Sequence, residues 1–526
     1  MNYTDIISTV PIVRLETQNE IVRLTERDGV YTHNDVTVSL LPGKGETEIL
    51  LTAAQTPVRR VYLDWPLRLS GDVRILGDAW ERGYGDLEWR GIVPERVMPW
   101  YVLLSDAEGT SAYGVKTNPA AMCFWRADGS MLSLTLDVRN GSDGVQLSGR
   151  RLSAAKLVSL RGESSATPYE TAKALCRLLC SKPRLPRTFV YGSNNWYYAY
   201  GNSSHEQVLR DAALLSELSQ GNTVRPYLVI DDGWQASHAP GYNGGPWHKG
   251  NERFPDMEKL AREIRQYGLR PGLWYRPLVT DEKVATECRL MREKSENFCT
   301  LDPSHPLVLE KVRQVTQKLV SWGYELLKHD FTTVDVFGRW GPAMGSSLTD
   351  EGWHFYDRSR TTAEIIGGLY RAIREGAGED ETIIGCNTLS HIAAGFFELQ
   401  RTGDDTSGRE WERTRKMGVN TLAFRMPQHG AFYACDADCA GVTRHIDWKL
   451  NGEWLRLLSV SGTPLFVSAD PDTVTQTQKE AIKAAFKTAL GVETPAEPLN
   501  WLQTTCPDTW CTRDGVTRFH LPALGV

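Results

Sequence analysis

The stretch Arg225-Pro-Tyr-Leu-Val-Ile-Asp-Asp232 is a short apolar run that ends in two acids. A similar run, Tyr324-Glu-Leu-Leu-Lys-His-Asp330, also ends in an acid, and the run 397–402 is soon followed by Asp404 and Asp405. Around these runs, strand-like segments alternate with amphipathic helical segments. That alternation is typical of parallel βα units.

Eight runs of this kind predict a (β/α)8 TIM barrel, in which the chemistry lies on loops at the C-terminal ends of the strands. Between the first two runs, Ser203-Ser-His-Glu206 has the capping-box pattern that opens a helix, here predicted to continue through about Leu218. The candidate strands are residues 189–191, 225–232, 269–276, 324–330, 382–387, 397–402, a weaker run near 431–434, and 457–467.

The chain is predicted to be multidomain. An N-terminal β-sandwich is expected over residues 1–182, the barrel over 183–490, and a short C-terminal β region over 491–526. In the first region, strand-like runs such as 36–41, 48–52 and 132–138 are separated by Gly, Asp and Asn turns. A helix-like stretch, 168–180, then leads to a linker marked by two prolines.

Composition and charge narrow the class of protein. With 526 residues, 41% of them hydrophobic and 24% charged, the chain can bury a large core, which excludes a disulfide-stapled scaffold or a mainly disordered chain. A formal net charge of −6 gives no reason to expect nucleic acid or an anionic membrane as a partner, so a neutral small molecule fits better. The first residues lack a leader pattern and the ten cysteines suit reduced thiols, so a cytoplasmic location is expected. The 17 Trp and 19 Tyr offer flat rings of the kind that stack on sugars.

Acidic residues follow three of the predicted strands: Asp231 and Asp232, then Asp330, then Asp404 and Asp405. In a barrel the C-terminal strand ends surround one mouth, so these carboxylates are predicted to converge there. A single acid at a strand end is usually a cap or a turn former, but three such ends together favour a functional site.

Lys328 and Asp330 alternate along one strand, so both are expected to face the mouth. An ammonium group beside Asp330 would keep that carboxylate ionised and suited to act as a nucleophile. The alternative interpretation is a structural ion pair.

Asp231 and Asp232 are consecutive, and consecutive strand residues face opposite ways unless the chain turns. Gly233 permits such a turn, after which both carboxylates can bind neighbouring sugar hydroxyls. The alternative is an Asx-turn that leaves both acids in water.

Arg401 precedes Asp404 and Asp405, and spacing does not decide which of the two acids faces the site. Whichever does is expected to have its pKa raised by an ionised Asp330, which would make it a proton donor near neutral pH.

No metal or organic cofactor is expected. The chain has no Gly-x-Gly-x-x-Gly, P-loop, His-Glu-x-x-His or Gly-x-Ser-x-Gly motif. Its eleven histidines, including His329, His391 and His429, show no metal-ligand spacing, and Cys435 and Cys439 lack a second Cys/His pair.

Several motifs together resemble the retaining α-galactosidases of glycoside hydrolase family 36, in the clan shared with family 27. The resemblance covers most of the chain, from the Trp-rich segment 78–89 to Ser461-Gly-Thr-Pro-Leu-Phe-Val-Ser468. Its most specific pieces are Asn194-Asn-Trp196, Asp231-Asp-Gly-Trp-Gln235, Asn251-Glu-Arg-Phe-Pro-Asp-Met257, Pro271-Gly-Leu-Trp274, Leu327-Lys-His-Asp-Phe331 and Arg401-x-x-x-Asp405.

The resemblance implies a role for each matching residue. Asp330 would be the nucleophile and Asp405 the acid/base of a double displacement that releases terminal α-linked galactose. The implied sugar contacts are Asp231 and Asp232 with the 4-OH and 6-OH, Lys328 with the 3-OH and 4-OH, Arg401 near the 2-OH, Trp196 and Trp274 around the pocket, Cys386 with its neighbour Asn387 lining it, and Trp80 as a weaker candidate from the N-terminal domain.

The sequence also departs from the family pattern. Arg276 stands where an uncharged or acidic residue is expected, and no Arg precedes Leu301-Asp302. The alternatives left open are an α-N-acetylgalactosaminidase, a galactosyl transferase of the raffinose-synthase kind, and a carbohydrate-binding protein without catalysis. The natural oligosaccharide also stays open, as does the oligomeric state, including a homo-oligomer.

Overall fold

A computed structural model of the chain describes residues 5–69, 71–292, 295 and 297–524. Residues 1–4, on which the leader argument partly rests, lie outside the described residues. Along the described part of the chain, no helix combines the length and the apolar character needed to cross a membrane.

The N-terminal region is built from antiparallel strands. They are β1 Ile12–Thr17, β2 Ile21–Arg23, β3 Thr25–Arg27, β4 Val30–His33, β5 Val36–Pro42, β6 Thr47–Ala53, β7 Val58–Pro66, β8 Arg74–Gly77, β9 Met98–Pro99, β10 Tyr101–Asp106, β11 Gly109–Val115, β12 Met122–Ala127, β13 Met131–Asp137 and β14 Leu152–Arg161. The predicted runs 36–41, 48–52 and 132–138 fall in β5, β6 and β13, so these strands are confirmed.

Two sheets pack against each other in this region. One has the order β2-β1-β7-β13-β12-β9 and the other β3-β4-β5-β6-β14-β11-β10-β8. Burial alternates along β6, because successive side chains point to opposite faces and only one face meets the core. The rings of Tyr113 on β11 and Trp125 on β12 lie 6.3 Å apart and join the two sheets. The strands agree with the β-rich N-terminal region that the strand pattern predicts.

The predicted helix between the sandwich and the parallel strands is α1, Pro168–Leu179, closed at its N-terminus by a capping box between Thr167 and Glu170. The strands that follow are β15 Tyr191–Asn194, β16 Tyr227–Ile230, β17 Arg270–Tyr275, β18 Val279–Thr280, β19 Cys299–Thr300, β20 Leu326–His329, β21 Thr382–Gly385, β22 Leu399–Arg401, β23 Ala434–Asp436, β24 Cys439–Val442 and β25 Leu465–Ala469. The helices are α2 Trp196–Ala199, α3 His205–Leu218, α4 Met257–Gln266, α5 Pro306–Ser321, α6 Thr332–Phe337, α7 Thr362–Ala377, α8 Ser390–Ala393, α9 Trp411–Thr414, α10 Thr421–Arg425, α11 Trp448–Ser461 and α12 Gln476–Leu490. Short 3-10 turns are Thr286–Cys288, Gly341–Met344 and Met426–Gln428, and Arg415–Asn420 is a π-helix.

All long strands of this region lie parallel in one sheet of order β23-β22-β21-β20-β17-β16-β15-β25-β24. Strands β16, β20 and β21 are buried along their whole length, as expected when helices cover a parallel sheet. The two ends of this order, β23 and β24, are separated in the chain by only Ala437 and Asp438. The sheet therefore curves like a TIM barrel, with its strands' C-terminal ends at one mouth.

Two of the eight strand predictions were displaced. The weak run near 431–434 precedes its strand, which begins at Ala434 and is split at Asp438, a non-glycine residue with φ 71°. In the run 457–467 the first residues complete α11, and only the last part belongs to β25. An apolar run alone does not separate a buried helix turn from a buried strand.

Three further short strands, β26 Glu497–Pro498, β27 Thr509–Thr512 and β28 Gly515–Arg518, form a small antiparallel sheet near the end of the described chain. The prediction of a few C-terminal strands is met by this sheet, while the domain boundaries stay predictions.

Candidate functional site

The residues singled out in the sequence meet at the C-terminal ends of the parallel strands. Asp231 follows β16, Asp330 follows β20 and Cys386 follows β21, while Arg401 is the last residue of β22. Trp274 lies within β17, and its indole Nε1 donates to Asp330 at 3.3 Å. The topology of parallel strands therefore brings residues that are far apart in the chain into one cluster.

Asp330 is buried at the bottom of this cluster and is held by backbone donors. Its Oδ1 accepts from the Phe331 amide at 2.8 Å and from the Asn387 amide at 3.1 Å. Phe331 adopts φ 62°, and this left-handed turn lets its amide reach back to the carboxylate. Burial raises the pKa of Asp330, but Arg82 and Lys328 outweigh it, so the pKa of this carboxyl lies below its ordinary value.

Lys328 points into the mouth, as predicted, but its hydrogen bond goes to a different acid. Its Nζ donates to Asp231 Oδ2 at 2.7 Å, and the Asn194 side chain donates to the same oxygen at 2.7 Å. Lys328 and Asp231 are both buried, so the ammonium acts on Asp330 only through space. Burial lowers the pKa of Lys328, but Asp231 raises it further, so the residue stays charged.

The turn predicted after Asp231 and Asp232 is confirmed. Gly233 has φ 114°, and a Cβ there would lie 2.5 Å from the Gly201 carbonyl oxygen. Asp232 accepts from Gln235 Nε2 at 2.8 Å, while Asp231 is buried rather than in water. The solvated Asx-turn alternative is therefore wrong for Asp231.

Asp404 and Asp405 both reach the cluster. Asp405 Oδ1 lies 2.7 Å from Arg82 Nη1 and 3.4 Å from Arg401 Nη2, and its side chain is 31% exposed against 7% for Asp330. Asp404 Oδ1 accepts from Arg82 at 2.8 Å and from the Asp405 amide at 2.8 Å. Of Asp330 and Asp405, Asp405 thus has the more exposed side chain.

The surroundings of Asp405 contradict the raised pKa expected for the second carboxyl. Burial raises the pKa of Asp405, but Arg82, Arg401 and Lys328 lower it by more, so the pKa lies below its ordinary value. The prediction considered the like charge of Asp330 and omitted the cation that separates the two acids.

Arg82 also belongs to this cluster, and the sequence did not predict it. It is fully buried, it comes from the segment after β8, and its Nη2 lies 3.3 and 3.4 Å from the two oxygens of Asp330. The available signal was the charged pair beside Trp80 in the Trp-rich segment, because buried charges require partners. Trp80 itself is fully buried, with its ring against Trp100 and Phe124.

The remaining candidates are Arg401, Asn387 and Trp196. Arg401 donates to Asp438 at 2.7 Å and to the Cys386 sulfur at 3.5 Å, deep in the cluster. Asn387 is fully buried and donates its side chain to Glu81 at 2.6 Å, so it supports the loop that bears Arg82. Trp196 begins α2 and is only partly buried.

Two residues shape the outer part of the mouth. Arg276 Nε donates to both carboxylate oxygens of Asp335, at 3.1 and 3.0 Å. The Arg276 guanidinium lies over the Phe331 ring, 4.6 Å from its centroid. Trp340, 38% exposed, stacks on Phe331 and lies 6.0 Å from the Arg82 guanidinium. The unexpected charge of Arg276 is therefore neutralised within the protein.

The three histidines noted in the sequence lie in apolar surroundings. Burial lowers the pKa of His329 to about 3 and of His391 and His429 to about 4. His391 stacks on Trp100 at 4.9 Å, which ties the sandwich to the barrel. Within the described residues there is no group of three or more His, Cys, Asp or Glu side chains arranged to hold a metal ion.

The chain is similar in sequence and fold to known α-galactosidases. No protein-family model matches the chain. The α-galactosidase AgaA of Geobacillus stearothermophilus is 26% identical over 195 residues, which is 35% of this chain and 25% of that relative's length. The structure of the α-galactosidase TtGalA from Thermus thermophilus, in complex with p-nitrophenyl α-D-galactopyranoside, matches with a TM-score of 0.60 and 18% identity over 92% of this chain and 96% of that one.

The GH36 α-galactosidase AgaA structure from Geobacillus stearothermophilus matches with a TM-score of 0.61 and 15% identity, over 96% of this chain and 78% of that one. Structures of these two enzymes have also been solved with stachyose and with raffinose. The resemblance to family 36 predicted from the sequence is thus confirmed, and the chain has the fold of these α-galactosidases.

Proposed function

We propose that this protein is a retaining exo-glycosidase that hydrolyses terminal α-linked galactose from oligosaccharides on a closed (β/α)8 barrel. The observation that carries the proposal is the pair Asp330 and Asp405, two carboxylates that follow different strands and accept from the same guanidinium at the barrel mouth. Retaining enzymes hold their two carboxyl groups about 5 to 5.5 Å apart. Two carboxylates bridged by one guanidinium fit that short separation better than the wider separation of inverting enzymes.

In the proposed reaction Asp330 attacks the anomeric carbon while Asp405 protonates the glycosidic oxygen. The bond between that oxygen and the sugar breaks, and an ester forms between the sugar and Asp330. Asp405, now ionised, takes a proton from water, which attacks the anomeric carbon and releases the sugar. The two inversions retain the α configuration, and no metal or organic cofactor takes part.

The buried polar groups around Asp330 suit a hydroxyl-rich ring. Asp231 offers a fixed acceptor and Lys328 a fixed donor for adjacent hydroxyls, with Asp232 beside them. Trp196, which is only partly buried, provides apolar surface at the same mouth, and the buried Trp274 donates its indole Nε1 to Asp330. The complex of TtGalA with an aryl α-galactoside supports galactose as the sugar. Trp340 offers a flat face for the leaving group.

Hydrolysis of p-nitrophenyl α-galactoside, followed by NMR of the first anomer released, tests the proposal. We expect turnover with α-galactose as the first product, no turnover by Asp330→Ala, and residual turnover by Asp405→Ala on leaving groups that need no proton. Release of β-galactose would contradict retention. If Asp404→Asn is inactive while Asp405→Asn is active, the acid/base assignment moves to Asp404.

The same assay separates the alternatives. Faster turnover of the 2-acetamido analogue identifies an α-N-acetylgalactosaminidase, and transfer products with added sugar acceptors identify a galactosyl transferase. Binding of galactosides without any turnover identifies a carbohydrate-binding protein.

A further inference from the structure

One guanidinium lies between the two carboxylates to which the proposed function assigns the chemistry. Arg82 Nη1 donates to Asp405 at 2.7 Å and to Asp404 at 2.8 Å, while Nη2 donates to Asp330 at 3.3 and 3.4 Å. The side chain is 2% exposed, and its Nε is buried without a hydrogen-bond partner among the described residues. Within the part of the chain that the structure describes, the guanidinium therefore donates its hydrogen bonds to carboxylates only.

The backbone that carries Arg82 is fixed to the barrel. Arg425 donates to the Glu81 carbonyl oxygen at 2.9 Å, and Gln428 donates to Asp78 at 2.8 Å. The Glu81 carboxylate accepts from the Gly341 amide at 2.6 Å and from the Asn387 side chain at 2.6 Å. Only the Arg82 side chain is then left to change its partners, and an arginine has enough rotatable bonds to do so.

The bridge coincides with the place of the scissile linkage. A glycoside attacked by Asp330 has its anomeric carbon at that carboxylate, and its glycosidic oxygen, one bond away, at Asp405. A group that contacts both carboxylates at once therefore occupies the path between them. Bound substrate and the bridging position of Arg82 exclude each other.

We propose that Arg82 is a positioning residue that ion-pairs Asp330 throughout and gives up Asp405 when a glycoside enters. This inference rests on the proposed function. Losing the guanidinium raises the pKa of Asp405, because burial favours the protonated form of a carboxyl. Asp405 therefore becomes a proton donor only in the complex. The guanidinium meanwhile keeps Asp330 ionised and oriented for attack.

Other charged or titratable groups also face the two carboxyls and influence their pKa values. For Asp405 they are Arg401, Lys328, Asp330, Asp404, Asp438 and the Tyr197 hydroxyl, and for Asp330 they are Lys328, Asp405, Asp335, Arg276, His329 and the Cys386 thiol. After burial, Arg82 is the largest influence on the pKa of both carboxyls. Its removal is therefore expected to change both titrations in the same direction.

The direction of the change follows from the two roles. Asp330 must be ionised, so kcat/KM falls as pH drops through its pKa, and Asp405 must be protonated, so kcat/KM falls as pH rises through its pKa. Arg82 lowers both pKa values. Arg82→Met should therefore shift both limbs of the kcat/KM profile upward by about 1 to 3 pH units.

The experiment compares Arg82→Met, Arg82→Lys and Arg413→Met on an aryl α-galactoside across pH. Arg413 is the matched control because it donates to the outer oxygen of Asp404 at 3.2 Å and is 40% exposed. We expect kcat of Arg82→Met to fall about 10²-fold, a typical cost of a misplaced reacting group. Arg82→Lys keeps the charge and should restore the limbs and part of kcat, while Arg413→Met should leave the profile unchanged. Limbs of a folded Arg82→Met protein that stay at the wild-type pH values overturn the proposal.

A readout without turnover keeps this result separate from the fate of the proposed function. As the pH is lowered, infrared difference spectra should show a protonated carboxyl band in Arg82→Met about 1 to 3 pH units above the pH at which the wild type shows it, and this shifted band should be lost in Arg82→Met/Asp405→Asn. If the wild type turns over no galactoside but the band shifts in this way, the proposed function fails and the ionic control by Arg82 stands. Absence of the shift in a folded variant refutes that control, whatever the activity.

Discussion

At the scale of single residues, the strongest constraint in the site is the pairing of Lys328 with Asp231. Both side chains are about 95% buried, and their 2.7 Å hydrogen bond is shared with Asn194. Removing one member of a buried ion pair leaves an uncompensated charge, which costs far more than the pair contributes in net stability.

Lys328→Met is therefore expected to lower the free energy of unfolding by about 3 to 5 kcal/mol. Urea denaturation at neutral pH measures this. Lys311→Met is the matched control, because the ion pair of Lys311 with Glu282 is about 37–39% exposed and its loss should cost at most about 1 kcal/mol. The double variant Lys328→Met/Asp231→Asn removes both charges and is expected to recover stability. Equal losses in Lys328→Met and Lys311→Met, with no recovery in the double variant, would mean that other groups compensate the Asp231 carboxylate.

At the scale of elements, the loop after β8 joins the sandwich to the barrel mouth through Glu81. This side chain is fully buried, and its oxygens accept hydrogen bonds from the amides of Gly83 and Gly341 and from Asn387. The backbone amide of Asn387 in turn donates to Asp330. The loop and Asp330, the proposed nucleophile, thus share one hydrogen-bond network.

Glu81→Gln places an NH2 group against the Asn387 donor. Because the Asn387 Oδ1 already accepts from the Val334 amide, the asparagine amide cannot flip without losing that bond. We expect a loss of about 1 to 3 kcal/mol of stability together with a lower kcat, measured by thermal unfolding and steady-state kinetics. A drop in stability with unchanged kcat would separate the loop from the chemistry.

Periodicity predicted most elements but not their long-range partners. The runs ending at Asp231 and Asp330 were visible because strand length, apolar content and terminal acids are local properties. The bridge from Arg82 to Asp405 joins residues 323 positions apart, and nothing in the local pattern encodes it. The break between β23 and β24 at Asp438 was not predicted for the same reason, because the Asp438 carboxylate is held by the distant Arg401.

At the scale of the whole molecule, the sandwich and the barrel share buried polar contacts as well as rings. Asn140, just after β13, donates to the carbonyl oxygens of Asp357 and Arg360 at 2.8 and 2.7 Å and accepts from the Phe355 amide at 2.9 Å. These bonds anchor the loop before α7, on the barrel side, to the sandwich.

Asn140→Ala leaves those three backbone groups without their side-chain partner. The expected cost is about 1 to 3 kcal/mol, seen in calorimetry as a lower transition temperature. Asn118→Gly, which removes a single bond to the Ala394 carbonyl oxygen and suits the φ of 60° at that position, should cost less. Two resolved transitions in the Asn140 variant would show that the regions then unfold separately, whereas an unchanged temperature would contradict a shared interface.

The attachment of Arg82 to the sandwich has a consequence for protein engineering. A chimera that grafts this barrel onto a foreign sandwich would inherit Asp330 without the guanidinium of Arg82. Libraries that recombine the two modules should therefore exchange the loop and its parent sandwich together with the barrel face that receives them.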